Sequence, residues 1–156
     1  MSGSTIQNRQ TCETNHSHLV SFSSVGELDQ IRELAQGASL EIFQLEKGIM
    51  QGTLAHVELG ACSVHSNSFS LSARGIGAVS PQRLTFVVFP AQVDGTFNGR
   101  ILLPQNILCY RPGSEFEGTI NGSFQDWVFT VEEFTLRSVV QRRFGVELPK
   151  FAGTCS

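Results

Sequence analysis

The spacing of apolar and polar side chains changes several times along the chain. Residues 1–18 are rich in Ser, Thr, Asn and Gln and poor in apolar side chains, and they read as a flexible tail. From Ser24 to Gln36, Val25, Leu28, Ile31, Leu34 and Ala35 recur three to four residues apart. That period predicts a short helix, with Ser24 as N-cap, Glu27 as its capping-box partner and Gly37 as its stop. From Leu40 to Val131 the pattern alternates and is rich in β-branched and aromatic residues. Turn residues interrupt it about every eight to twelve positions, the signature of a sandwich or barrel. The clearest predicted strands are Ser39–Leu45, Thr53–Leu59, Cys62–Leu71, Leu84–Phe89, Ile107–Arg111 and Asp126–Val131. Gly60-Ala61, Asp94-Gly95, Asn98-Gly99 and Asn121-Gly122 supply residues that accept positive φ, and the last two predict short hairpins. After Val131 the helical period returns. Leu136, Val139, Val140 and Phe144 share one face of a helix predicted over 132–144, acidic in its first turn, basic in its last and stopped by Gly145.

Composition narrows the function classes. With 156 residues the chain has one domain's length and can hold a core without disulfides. Charged residues are only 16%, and 11 basic against 14 acidic groups leave a net charge of −3. Such a chain lacks the clustered Lys and Arg that grip a phosphate backbone, so it is not expected to bind DNA specifically by itself. Its apolar runs fall short of the ~20 residues that span a bilayer, and its start lacks the apolar core of a secretory signal, so the expected location is cytoplasmic. Cys12, Cys62, Cys109 and Cys155 are too scattered for a zinc motif, and Cys62 and Cys109 read as buried thiols.

The search for reactive groups leaves few candidates. Neither a GxSxG elbow nor a GxxxxGK[ST] phosphate loop is present. His16 and His18 form an HxH inside the polar tail. His56 shares a strand face with Glu58, and that face reads as solvated. Glu115 and Glu117 flank Phe116 on one strand face, with nothing nearby to complete an acid–base pair. Arg74 reads equally as a partner for a ligand carboxylate or as a surface turn residue. His65, Asn67, Phe69 and Leu71 alternate on a mixed polar and aromatic face, as the wall of a ligand cavity would. No catalytic residue, metal ligand or cofactor is assigned.

A further set of segments carries a likeness. These are Leu40-Glu41-Ile42-Phe43-Gln44-Leu45, the strand led by Gly52-Thr53-Leu54 and closing at Leu59-Gly60, the run Ser63–Leu71, and Pro81–Phe86. The most specific are Phe97-Asn98-Gly99-Arg100, Pro104, Ile107-Leu108 and Pro112–Glu117, followed by the Phe-rich Phe124–Phe129 and by Glu132-Glu133. Over Glu27–Leu148 the chain resembles the N-terminal sensor half of AraC-type transcription regulators. It departs from that pattern at Pro104-Gln105-Asn106, where the family often has Pro-Gly-Asp. The His-x-His with later Glu and His of metal-binding cupins is also missing.

The resemblance implies a mostly β fold, a cupin-like β-barrel (jelly roll) with a short N-terminal helix and a C-terminal helix. It implies a regulatory domain over 19–148, with 149–156 beginning a linker. It further implies an effector-sensing and dimerisation domain that forms a homodimer and meets DNA only through a C-terminal helix-turn-helix region, which this chain does not include. On that reading the chain is expected to be an excised regulatory domain, with a stand-alone relative as the other reading. The resemblance places an unidentified small-molecule effector inside the barrel. Strand alternation then nominates His65, Asn67 and Phe69, lined by Phe86, Val88, Trp127 and Phe129. Leu136, Val139, Val140 and Phe144 are nominated as the dimer face, the competing reading being that they pack on the chain's own barrel. The alternatives are a small cupin-type enzyme, an isomerase or oxygenase with metal at His56, His65 or the Glu115 and Glu117 pair, and a dimerisation module whose barrel is packed solid by its 12 Phe.

Overall fold

The computed structural model describes residues 19–25 and 39–149. The predicted tail, most of the predicted N-terminal helix and nearly all of the predicted linker lie outside the described residues. Ser24 and Val25, with which that helix was expected to begin, are extended residues at the end of the first strand. Eleven strands follow in chain order: β1 (Leu19–Val25), β2 (Ser39–Gln44), β3 (Gly52–Glu58), β4 (Cys62–Phe69), β5 (Ala73–Ala78), β6 (Leu84–Val88), β7 (Asp94–Phe97), β8 (Arg100–Ile101), β9 (Ile107–Tyr110), β10 (Glu115–Asn121) and β11 (Phe124–Val131). One helix, α1 (Glu133–Phe144), closes the described chain.

The strands form two antiparallel sheets, ordered β1-β3-β4-β11-β6-β9 and β2-β5-β10-β7-β8. The fold is mostly β, as expected. Because the two sheets share no strand among the described residues, it is a jelly-roll-like sandwich rather than a closed barrel. Apolar side chains from the two inner faces meet between the sheets. Ile42, Met50, Phe69 and Ala73 are buried there, with Leu40, Leu54, Leu71 and Phe124 packed against them. Phe69 and Phe124 lie with ring centroids 5.1 Å apart.

The two predicted hairpin turns part company. Asn98 (φ 47°) and Gly99 (φ 74°) are both left-handed, which is what a two-residue turn between twisted strands needs, and they join β7 to β8. At Asn121-Gly122 only Gly122 is left-handed (φ 75°), and β10 and β11 belong to different sheets. That segment crosses between sheets instead of making a hairpin, and the Gly122 N–H donates to Ser72 Oγ at 2.6 Å.

Helix α1 begins where β11 ends. Glu132 is its N-cap residue, and the Glu132 N–H donates to Ala61 O in the β3–β4 turn at 2.9 Å. Gly145 (φ 66°) stops the helix and donates to Gln141 O. Arg137 holds Glu133 Oε1 at 2.7 Å and also donates to Leu148 O at 2.6 Å, so the chain after the helix folds back along it. No residue of α1 is buried. Leu136 and Val140 are half-buried, whereas Val139 (46% exposed) and Phe144 (70%) face outward. No helix among the described residues is long and apolar enough to cross a membrane.

Candidate functional site

Register decides which side chains face inward. Directly opposed residues of neighbouring antiparallel strands point to the same side of a sheet. Asn67 opposes Leu54 on β3 and Asp126 on β11, while His65 opposes His56 and Val128. Val128 opposes Val87 on β6, and Thr130 opposes Thr85. These residues therefore share the inner face of the larger sheet. Across from them, β10 presents Phe116, Gly118 and Ile120, β2 presents Leu40 and Ile42, and β7 presents Phe97. Between the two faces lies a cavity of about 220 Å3, walled mostly by apolar side chains and reached by a few polar ones. Small residues on the second sheet help to make the room, since Gly118 opposes Gly75 on β5.

The polar groups form two sets. In the first, Asn67 Nδ2 donates to Asp126 Oδ1 at 2.6 Å. No hydrogen bond from the described residues reaches Oδ2. Asp126 is surrounded by protein, and the surface it keeps opens on the cavity. Burial pushes its carboxyl up to about 7, with the Asn67 hydrogen bond pulling the other way.

The second set is a chain of contacts. The Nδ1 atoms of His56 and His65 are 3.2 Å apart, so one donates and the other accepts. Ser63 Oγ lies 3.2 Å from His65 Nε2 and 2.8 Å from Thr130 Oγ1. Burial, reinforced by His56, lowers His65 to about 4, so it is neutral at neutral pH. Burial also lowers His56, against the pull of Glu58. Arg83 closes the chain. Its Nη2 donates to Gly60 O at 2.6 Å and lies 2.9 Å from Glu58 Oε1, an ion pair without an aligned hydrogen bond at that oxygen. Thr85 Oγ1, buried in the wall, has no partner among the described residues. Beside it, burial pushes the Tyr110 hydroxyl up to about 12.

The nominated residues divide by face. His65, Asn67 and Phe69 line the cavity. Phe86, Val88, Trp127 and Phe129, expected inside, stand on the outer face of the same sheet. Trp127 opposes Val88 and Phe129 opposes Phe86, each one residue out of step with the inward set. Trp127 and Phe129 stack with centroids 6.5 Å apart and remain 38% and 40% exposed. The sequence reading missed Asp126, Thr130 and Thr85, polar residues that alternate with those aromatics and form the inner face. The alternation itself was the available signal.

The His56–Glu58 face, expected to be solvated, is the inner one. There the His56 side chain is 13% exposed and Nε2 lies 3.7 Å from Glu58 Oε2. Glu115 and Glu117 lie on the outer face of β10, where Arg74 holds Glu117 at 2.7 Å. Among the described residues no three His, Cys, Asp or Glu side chains are grouped so as to hold a metal ion.

Neither a protein-family model nor a curated protein sequence matches the chain. Among solved structures it is similar to the crystal structure of the AraC-like transcriptional activator CuxR, with a TM-score of 0.52 and 10% sequence identity. The match covers 78% of this chain and 51% of that one, so this chain corresponds to about half of the activator. The fold is thus that of part of an AraC-like transcriptional activator.

Proposed function

We propose that this chain is the effector-sensing and dimerisation domain of an AraC-type transcription regulator, with a small molecule held between the two sheets. The observation that carries this reading is the cavity of about 220 Å3, whose largely apolar walls are joined by a few polar side chains, among them Asn67, Asp126 and Thr130. An interior packed solid leaves no such space. The fold likeness supplies the regulatory context. DNA contact belongs to a helix-turn-helix region outside this chain, consistent with the net charge of −3, and such a regulator works in the cytoplasm.

The route outward is short. Thr130 touches both Ser63 and Arg83 and lies two residues before Glu132, whose N–H is bonded to the same β3–β4 turn that Arg83 grips at Gly60. Occupancy that moves the inner face is passed to the start of α1 through these bonds. The exposed Val139 and Phe144, with Leu136 and Val140 beside them, then provide the self-association face. A ligand that fits one arrangement better than the other shifts the balance between them.

A thermal-shift screen of small metabolites, followed by sedimentation equilibrium with each hit, tests both halves. A ligand that binds only the folded chain raises its melting temperature by mass action. The expected result is a hit that also changes the association constant. A chain that stays monomeric and is stabilised by no metabolite overturns the reading.

A further inference from the structure

Among the described residues only three lining side chains titrate: His65, Tyr110 and Asp126. His65 and Tyr110 are both neutral at neutral pH. Asp126 is therefore the one lining group able to carry a charge, and that charge is negative. Neither Lys nor Arg is among the lining residues, and the nearby Arg83 is already committed to Glu58 and Gly60. Among the described residues an anionic ligand would find no counter-ion here. The Asp126 carboxyl keeps Oδ1 occupied by Asn67 and leaves Oδ2 open to the cavity. Size adds a second limit. A dry cavity of roughly 150 Å3 accepts benzene, so about 220 Å3 accepts a single ring with a short substituent.

We propose that the cavity selects a compact apolar molecule bearing one cationic nitrogen, whose N–H donates to Asp126 Oδ2 while its hydrocarbon part packs against the apolar walls. This rests on reading the cavity as the effector site and names the chemistry of its ligand. The open carboxylate oxygen, the missing cation and the apolar surroundings all favour the same class. Binding draws Asp126 into its ionised form, because a cation at Oδ2 replaces the solvation that burial removed. The titratable groups around Asp126 are His65 on β4, His56 behind it on β3 and Tyr110 on β9. The facing sheet brings no titratable side chain to the cavity.

The test uses three probes of one shape: benzylamine, toluene and benzoate. Each is titrated calorimetrically into the 156-residue chain between about pH 5 and pH 8.5. Benzylamine stays protonated over this range. Its affinity is expected to be level above pH 7 and to weaken about tenfold per unit below it, as Asp126 takes up its proton. Asp126→Asn is expected to weaken benzylamine at least tenfold and leave toluene unchanged. Should that variant not fold, the pH series on the unaltered chain decides. Toluene or benzoate binding as tightly as benzylamine, or benzylamine binding that ignores pH, overturns the charge selection and leaves the cavity as a ligand site. Failure of all three to bind overturns both.

Discussion

A methyl group added at either of two glycines on one cavity wall separates a filled position from an open one. Gly118 on β10 opposes Phe97 on β7 and Gly75 on β5. A Cβ at Gly118 would lie 2.4 Å from Phe97 Cε1, 2.5 Å from Cζ and 2.7 Å from Cδ1, far inside the ~3.5 Å at which carbons touch. In Gly118→Ala the Phe97 ring must therefore move by about 1 Å, and the space beside it is the cavity. Overpacking of this kind costs about 1–3 kcal/mol, against which the alanine recovers about 0.4–1 kcal/mol by restricting the unfolded chain. The net loss is about 1–2 kcal/mol, a fall in Tm of roughly 2–8 °C for a domain of this size. At Gly75 the nearest atoms to an added Cβ are Leu40 Cδ1 and Phe116 Cε2, both at the ordinary contact distance of 3.7 Å. Gly75→Ala is therefore expected to hold or slightly raise Tm. Circular dichroism melts of both variants, with urea titrations to check that m is unchanged, measure the difference. Equal shifts, or a greater loss at Gly75, would refute the placement of the Phe97 ring.

Other outcomes follow from the same geometry. Asp126, raised to about 7, stabilises the fold fully below its unfolded pKa near 4 and loses that contribution as pH climbs through 7. His65, lowered to about 4, contributes above 6.5 and loses its share as pH falls through 4. The two slopes oppose each other between about 4 and 6.5. Asp126→Asn should therefore expose a drop of roughly 2–3 kcal/mol on acidification, seen in urea titrations across pH, and an unchanged profile would contradict it. Arg83→Met strands Glu58 without its cation and should cost about 1–3 kcal/mol while raising the pKa of both histidines, followed by NMR titration. Trp127 stands outside the cavity, so acrylamide should quench it readily and a cavity ligand should leave that quenching unaltered. Val139→Glu should break self-association in sedimentation while leaving the monomer's Tm within about 1 °C, since substitution at an exposed position has little effect on the fold.

What the sequence revealed depended on how far each pattern specified its own pairing. The strands rich in Val, Phe and Thr, such as Leu84–Val88 and Phe124–Val131, were visible from composition alone. Strand β5, with the sequence ARGIGA, was not, because its two glycines argue against a strand and only its neighbours β2 and β10 hold it extended. The site was half legible. His65, Asn67 and Phe69 announce an inner face by mixing polar and aromatic residues. On β11, however, Phe124 and Val128 make one face apolar while Trp127 and Phe129 make the other aromatic, so hydrophobicity cannot choose between them. The choice comes from register against β4, which lies 55 or more residues earlier in the chain and is joined to β11 by no short turn. The long separation hid Asp126, the residue on which the ligand chemistry turns.

The fold-back after α1 has a mechanical side. Gly145 ends the helix, yet Arg137, in its second turn, holds the carbonyls of Leu148 and Pro149. The chain has thus retraced about 12 Å of helix by Pro149, taking 1.5 Å for each of the residues between 145 and 137. Tension applied beyond Pro149 would load the clamp around Glu133 and Arg137, next to the β3–β4 turn, rather than peel the helix from its far end. The length of helix beyond Arg137, which carries Val139 and Phe144, is thereby mechanically idle, able to take up or release a neighbour without shifting the point from which the rest of the chain is pulled.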